Sequence, residues 1–323
     1  MRLLISLALC AIALPAFSQS LAAWQTEFPK ADFSQSEVPF TEISFDGARR
    51  DSIPPIHNPV YKPLAGVALV KQTPVISVVI RGEAKAYPLE IMLWHEIVTE
   101  TIGGVPVLVT YCPLCNSGVV FDRRVNGEVL EFGNTGRIRH FDMVMYDQST
   151  ESWWQQFSGR AIIGTRTGQT MKLLPSRLES LAAFAARAPD GMVLVPNNPA
   201  ARPYGNSPYP GMDTPPDQPR LSAQFPVPKG IDPMAYFVVV GNQAWPLERL
   251  RSAGTIRESG LILNWTPGRS SIHDTRDISK GRDLGNVTVA QAETPKRDFP
   301  YDLVFAFAFS AFLPNGEWML VAP

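Results

Sequence analysis

Short runs of β-branched and aromatic residues, each ended by a turn signal, recur along most of this 323-residue chain. Val75-Ile76-Ser77-Val78-Val79-Ile80 predicts a buried strand, and Ala84-Lys85-Ala86-Tyr87 the returning strand of a hairpin turned at Gly82. Pro88 can open a short helix, with Leu89, Leu93 and Ile97 four apart on one face and Gly103-Gly104 as its end. Val105 to Tyr111 predicts a strand running into Cys112. Gly118 to Asp122 and Val129 to Phe132 predict strands on either side of Asn126-Gly127, a strong hairpin signal. Met143 to Tyr146 and Ala161 to Gly164 read as further strands, and Ser176-Arg177-Leu178-Glu179 as a capping box opening a helix through about Arg187.

The pattern then breaks. From 196 to 233 proline is dense and apolar periodicity is lost, which predicts a long connecting loop. Beyond it, Val239 to Glu248 echoes Val79 to Glu90, with Trp245-Pro246-Leu247-Glu248 against Tyr87-Pro88-Leu89-Glu90. Leu261 to Pro267 echoes Val107 to Pro113, and Tyr301-Asp302-Leu303-Val304 echoes Phe141-Asp142-Met143-Val144. Three echoes in one order predict an internal duplication. The fold class expected is therefore β-rich α+β, with few short helices and two related β-rich halves. The expected divisions are a signal peptide at 1–18, an N-terminal extended segment at 19–70, a first half at 71–195, the connecting loop at 196–233 and a second half at 234–323.

Composition narrows the function. Arg2, the apolar run Leu3 to Leu14 and the small-x-small pattern Ala16-Phe17-Ser18 predict an export leader, hence a periplasmic or secreted protein. No later apolar stretch reaches the roughly 20 residues of a membrane helix; Leu303 to Leu313 stops at Pro314. Lys and Arg number 29 against 30 Asp and Glu, so no basic surplus exists to grip phosphate backbones and nucleic acid is not an expected partner. The 30 prolines, roughly twice the usual share, argue for a loop-rich fold and against a helical bundle.

Past the leader only Cys112 and Cys115 remain. A pair two residues apart closes too small a loop to staple a fold, since disulfide stabilisation grows with loop length. Cys112-Pro113-Leu114-Cys115 has three readings. As a metal knuckle, a tight turn between two strands aims two thiolates at one ion, and Asn116 can follow in a left-handed conformation. His95, in Leu93-Trp94-His95-Glu96 just before the strand that delivers the cysteines, is the candidate third ligand, and Met145 a candidate thioether. Thiolate, thioether and imidazole together suit copper ahead of zinc. As a dithiol redox centre, Cys112 would attack and Cys115 resolve, but the strand predicted after Cys115 withholds the helix N-terminus that usually lowers a thiol's pKa. As a structural feature, the pair would be a short disulfide or buried thiols in a scaffold protein.

The other histidines carry less. His57 follows a proline turn, His140 borders a turn containing Gly136, and His273 is expected to be exposed. Trp153-Trp154 reads as packing. No Gly-rich phosphate loop, Gly-x-Ser-x-Gly elbow or His-Glu-x-x-His pair is present.

Pro88-Leu89, Trp94-His95-Glu96, Gly103-Gly104-Val105-Pro106-Val107, Thr110-Tyr111-Cys112-Pro113-Leu114-Cys115 and Val119-Val120-Phe121-Asp122 together resemble the bacterial domain of unknown function family 3179. Phe132-Gly133, Val144-Met145-Tyr146-Asp147, Trp154-Gln155, Leu174-Pro175, Tyr204-Gly205-Asn206-Ser207-Pro208-Tyr209 and Trp245-Pro246-Leu247 extend the resemblance over roughly residues 51 to 260. It implies that Cys112, Cys115 and His95 stand at family-typical positions, and that His57 and His140 stand where relatives carry Asp or Asn. It brings no established activity.

Overall fold

Antiparallel hairpins are the building unit. Pro74–Ile80 pairs with Glu83–Pro88, Ile97–Ile102 with Val105–Cys112, and Phe132–Arg139 with Asp142–Asp147. The computed structural model describes residues 21–45, 48–214, 224–295 and 297–321; the leader predicted at 1–18 lies outside them. It is β-rich, with 40% strand and 16% helix, and five small sheets stand as the blades of a five-bladed β-propeller.

The sheet that carries the cysteines is Ile97–Ile102, Val105–Cys112, Ser117–Asp122 and Lys172–Leu174. Beside it, Phe132–Arg139, Asp142–Asp147, Trp153–Gln155 and Arg160–Ile163 form a second sheet, edged by Ile43–Phe45. A third is built on Pro74–Ile80, a fourth on Tyr236–Val240, and a fifth from Thr255–Glu258, Leu261–Thr266 and Asn286–Gln291. One continuous apolar core joins the blades, with Tyr87, Tyr111, Phe237, Trp245 and Phe305 inside it. A smaller core packs Trp24, Phe28 and Phe33 against Trp153 of the second sheet. Trp153 and Trp154 are both fully buried.

The expectation of two related halves is overturned. Five blades do not divide into two, and what repeats is a blade. Pro74–Ile80 and Tyr236–Val240 each pair with a returning strand that runs into a short helix, Leu89–His95 or Leu247–Ala253. Each also takes an edge strand followed by a helix: Arg177–Ser180 with Leu181–Arg187, and Asp302–Phe305 with Ala306–Phe312. Asp302 therefore matches the neighbourhood of Arg177, and the echo with Asp142 is coincidental. Asp142–Asp147 belongs to another sheet altogether. Short apolar strands entered through a hydrophobic-Asp pair look alike wherever a sheet needs them.

Three local readings also change. The helix Leu89–His95 ends at Glu96, whose φ of 58° is left-handed, and Ile97 already belongs to the next strand. Gly103 and Gly104, at φ 53° and 76°, make the hairpin turn between Ile97–Ile102 and Val105–Cys112, which requires positive φ at both central residues. Ser180, not Ser176, caps the helix Leu181–Arg187 by accepting from Ala183 N. Residues 177–180 are taken first by the sheet, because pairing with Pro74–Ser77 satisfies their backbone groups.

The proline-dense stretch is docked where it is described. Ser207 N donates to Arg276 O, Met212 N to His273 O and Ile278 N to Gly205 O. No helix of the described residues is long and apolar enough to cross a membrane.

Candidate metal centre

Cys112 lies opposite Ser117 in the ladder between Val105–Cys112 and Ser117–Asp122, so Pro113 to Asn116 form the connecting turn. Asn116 takes φ 57°, the left-handed conformation that closes the turn. Its side chain accepts from Tyr111 OH at 2.9 Å and donates to Leu303 O at 2.5 Å. Phe305 N donates to Cys115 O at 3.1 Å, and His273 Nε2 donates to Pro113 O at 2.8 Å. The chain leaves Cys115 toward a strand and not into a helix.

Asp142 reaches this turn from the neighbouring blade. The hairpin Phe132–Arg139/Asp142–Asp147 pairs Arg139 with Asp142, leaving His140 and Phe141 as a two-residue turn with φ 53° and 60°. Two bulky residues in this conformation are costly, on the order of 1–2 kcal/mol each, and packing must hold them there. Phe141 is packed edge-on against Phe225 and Phe307, and His140 against Phe225. The turn sets Phe141 O 3.6 Å from Cys112 Sγ and Asp142 Oδ2 3.1 Å from Cys115 Sγ. The donor atoms of Cys112, Cys115 and Asp142 all lie within 4.8 Å of one another.

Burial governs the electrostatics. Cys112 is 2% exposed, and Cys115 and Asp142 are fully buried. Desolvation pushes the Cys112 thiol up, and it pushes the Cys115 thiol well up, with Cys112 and Asp142 adding to that shift. Desolvation also raises Asp142 to about 6, against hydrogen bonds from Phe157 N at 2.9 Å and Gln155 Nε2 at 2.5 Å. Three acids are thus gathered in a low-dielectric site, and among the described residues none of them pairs with a Lys, Arg or His. A group of this kind could hold a metal ion in the place of its protons.

The expected companions are placed differently. His95 stays outside the group: its Nδ1 donates to Pro54 O at 2.8 Å and its Nε2 accepts from Tyr204 OH at 2.8 Å. Both ring nitrogens are used, so no lone pair is left for a metal. Met145 is fully buried in the core, in register with Asn134 and Trp154, and Met143 Sδ accepts from Asn134 Nδ2 at 3.2 Å. His57 meets Thr99, and His140 meets Glu42 at 3.2 Å. His273, expected to be exposed, is fully buried beneath the turn.

Sequence reading missed Asp142. The available signal was an acidic residue opening the otherwise apolar run Met143-Val144-Met145-Tyr146, since a carboxylate in a core strand is rare unless paired or ligating.

No curated protein and no solved structure matches the chain. A family model described as protein of unknown function (DUF3179) matches residues 50–316, and the chain belongs to that family.

Proposed function

We propose that this protein binds a transition-metal ion through Cys112, Cys115 and Asp142. The observation that carries the reading is the convergence of these three buried donors within 4.8 Å, with no basic side chain among the described residues to balance them. Tetrahedral zinc, with bonds of about 2.0 to 2.3 Å, spaces its ligands roughly 3.3 to 3.8 Å apart, which small side-chain rotations reach from this arrangement. Asp142 supplies a hard oxygen where an imidazole was expected, and this moves the preference from copper toward zinc. Three protein ligands leave a fourth position for water, a substrate atom or the nearby Phe141 carbonyl. Export to the periplasm is part of the same proposal and rests on the leader at 1–18.

A thiol oxidoreductase reading draws no support from the geometry. Its attacking thiol needs a lowered pKa, and both thiols here are raised by burial and followed by a strand.

The test is metal content of protein purified under reducing conditions, wild type against Cys112→Ser and Asp142→Asn. The proposal expects about one equivalent of zinc or copper per wild-type chain and loss of it in both variants. Metal-free wild type that also fails to take up added zinc overturns it.

A further inference from the structure

Polar side chains from three distant segments meet beneath the cysteine turn. Asp213 comes from the proline-dense stretch, Tyr236 from the strand Tyr236–Val240, and Ser271, His273 and Arg282 from the loop after Leu261–Thr266. Asp213 and Tyr236 are buried, and Ser271 and His273 completely so. Their bonds form one line that ends on the turn. Arg282 Nη1 donates to Asp213 Oδ1 at 2.8 Å, and Ser271 Oγ to Asp213 Oδ2 at 2.8 Å. Tyr236 Oη lies 2.6 Å from Asp213 Oδ2 and 3.2 Å from His273 Nδ1, and His273 N donates to Ser271 Oγ at 3.0 Å. His273 Nε2 then reaches Pro113 O at 2.8 Å, across 160 residues of sequence.

This bonding sets the tautomer. Pro113 O can only accept, so the ring hydrogen is on Nε2 and Nδ1 presents its lone pair to Tyr236. Pro113 O also accepts from Asn116 N at 3.3 Å, within the turn. The Pro113–Leu114 peptide lies midway between the two cysteines, so its plane sets the direction in which each sulfur leaves the chain. His273 grips that plane from outside the turn. The imidazole is itself wedged against Phe305, 5.1 Å away between centroids, and Phe305 N donates to Cys115 O at 3.1 Å.

Packing alone does not call for such a network. An apolar side chain would fill the space under a turn without the cost of burying an imidazole, a phenol hydroxyl and a carboxylate, and such replacements are often neutral or stabilising. What apolar contact lacks is direction, which a hydrogen bond to a carbonyl supplies. A metal site requires direction, since its ligands must be held to within about 0.5 Å.

We infer that His273 is a positioning residue of the metal centre, aiming Cys112 and Cys115 through the Pro113 carbonyl, with Tyr236 and Asp213 holding its ring. The inference rests on the proposed binding of metal by Cys112, Cys115 and Asp142. It makes the docked proline-dense stretch, through Asp213, part of the support of that centre.

The experiment titrates the reduced full chain with cobalt(II), whose absorption reports ligand geometry, and measures zinc affinity by competition with a chelator. The variants are His273→Leu, His273→Gln and Tyr236→Phe, each checked for folding by its urea midpoint. His273→Leu is expected to bind zinc at least tenfold more weakly, as when a group that orients a ligand is removed, and to shift the cobalt spectrum. His273→Gln, whose amide can donate to Pro113 O, is expected to stay within threefold of wild type with an unshifted spectrum. Tyr236→Phe is expected to weaken zinc binding at least threefold, although that hydroxyl bonds none of the three ligands. A merely structural role lowers the urea midpoints and leaves folded variants with wild-type affinity and spectrum; that result overturns the inference and leaves the metal reading standing. Equal losses in His273→Leu and His273→Gln overturn it too. If His273→Leu does not fold, Tyr236→Phe decides alone, and a loss under threefold overturns the inference. Wild type that takes up neither cobalt nor zinc overturns both readings.

Discussion

Cys115 Sγ lies 3.1 Å from Asp142 Oδ2, a contact between two blades made across 27 residues of sequence. The thiol donates and the carboxylate accepts, so replacement of Asp142 by Asn removes an oxygen donor without changing side-chain size. Metal affinity of Asp142→Asn is expected to fall by on the order of 100-fold or more, because even partners that merely orient a ligand are worth 10- to 100-fold. Gln155→Leu, which takes away the hydrogen bond to Asp142 Oδ1, is expected to lose about 10-fold. Competition with a chelator of known affinity measures both. Equal affinities in wild type and Asp142→Asn would remove Asp142 from the ligand set.

His273 gives the fold an acid-sensitive element. Burial lowers its pKa from 6.5 to about 4, so the native state holds it neutral, with Nε2 donating to Pro113 O. Below pH 6.5 the unfolded chain binds the extra proton and the folded one does not. Its stabilising contribution is therefore complete above about 6.5 and is lost as pH falls toward 4, up to about 3 kcal/mol. Asp302, raised to about 6 by burial, acts with the opposite sign over much of the same window. In His273→Gln the acid loss should disappear and leave only the carboxyl effect. Urea midpoints at pH 7 and pH 4.5 decide this; parallel profiles for wild type and variant would refute it.

Gly136 should tolerate no side chain. Its φ is 68°, and a Cβ there would stand 2.1 Å from Ala48 O, a backbone atom that cannot rotate aside. Gly136→Ala is expected to destabilise the protein by about 2 kcal/mol or more, by strain and by displacement of residues 48–49. Denaturant unfolding measures it, and a loss under about 0.5 kcal/mol would contradict the close approach.

The corrected helix cap is testable by a pair of variants. Ser180→Ala removes the oxygen that accepts from Ala183 N and should cost about 1 kcal/mol. Ser176→Ala should cost clearly less, because Ser176 precedes a strand and caps nothing. Reversal of that order would restore the capping box read from sequence.

Local pairing was legible because it is written in neighbouring residues. The β-branched run at 75–80 became Pro74–Ile80, Asn126-Gly127 became the turn between Arg124–Val125 and Glu128–Val129, and the cysteine turn joins two strands. What depends on distant contacts was not. His273 sits in the polar run Ser270-Ser271-Ile272-His273-Asp274, which reads as surface until Tyr236, Asp213 and the cysteine turn close around it. His95 and Cys112 are close in sequence, yet the helix ends at once and a full strand intervenes, so the imidazole is carried into another cleft. Two halves were inferred from echoes that mark a repeated blade, and repetition alone does not give the number of repeats.

Hydrogen bonds tie the cysteine turn and the start of the strand after it to Asp302–Phe305: Asn116 to Leu303, Ser117 and Gly118 to Asp302, and Phe305 to Cys115. The first spans 187 residues, so a chain growing from its N-terminus carries both thiols long before their clamp exists. A product ended before residue 302 would hold Cys112 and Cys115 on a turn with that side open, and its thiols would react with alkylating reagents that the finished ring excludes. Thiol protection in this molecule is therefore a clock for ring closure: it begins when the last of these ties is made.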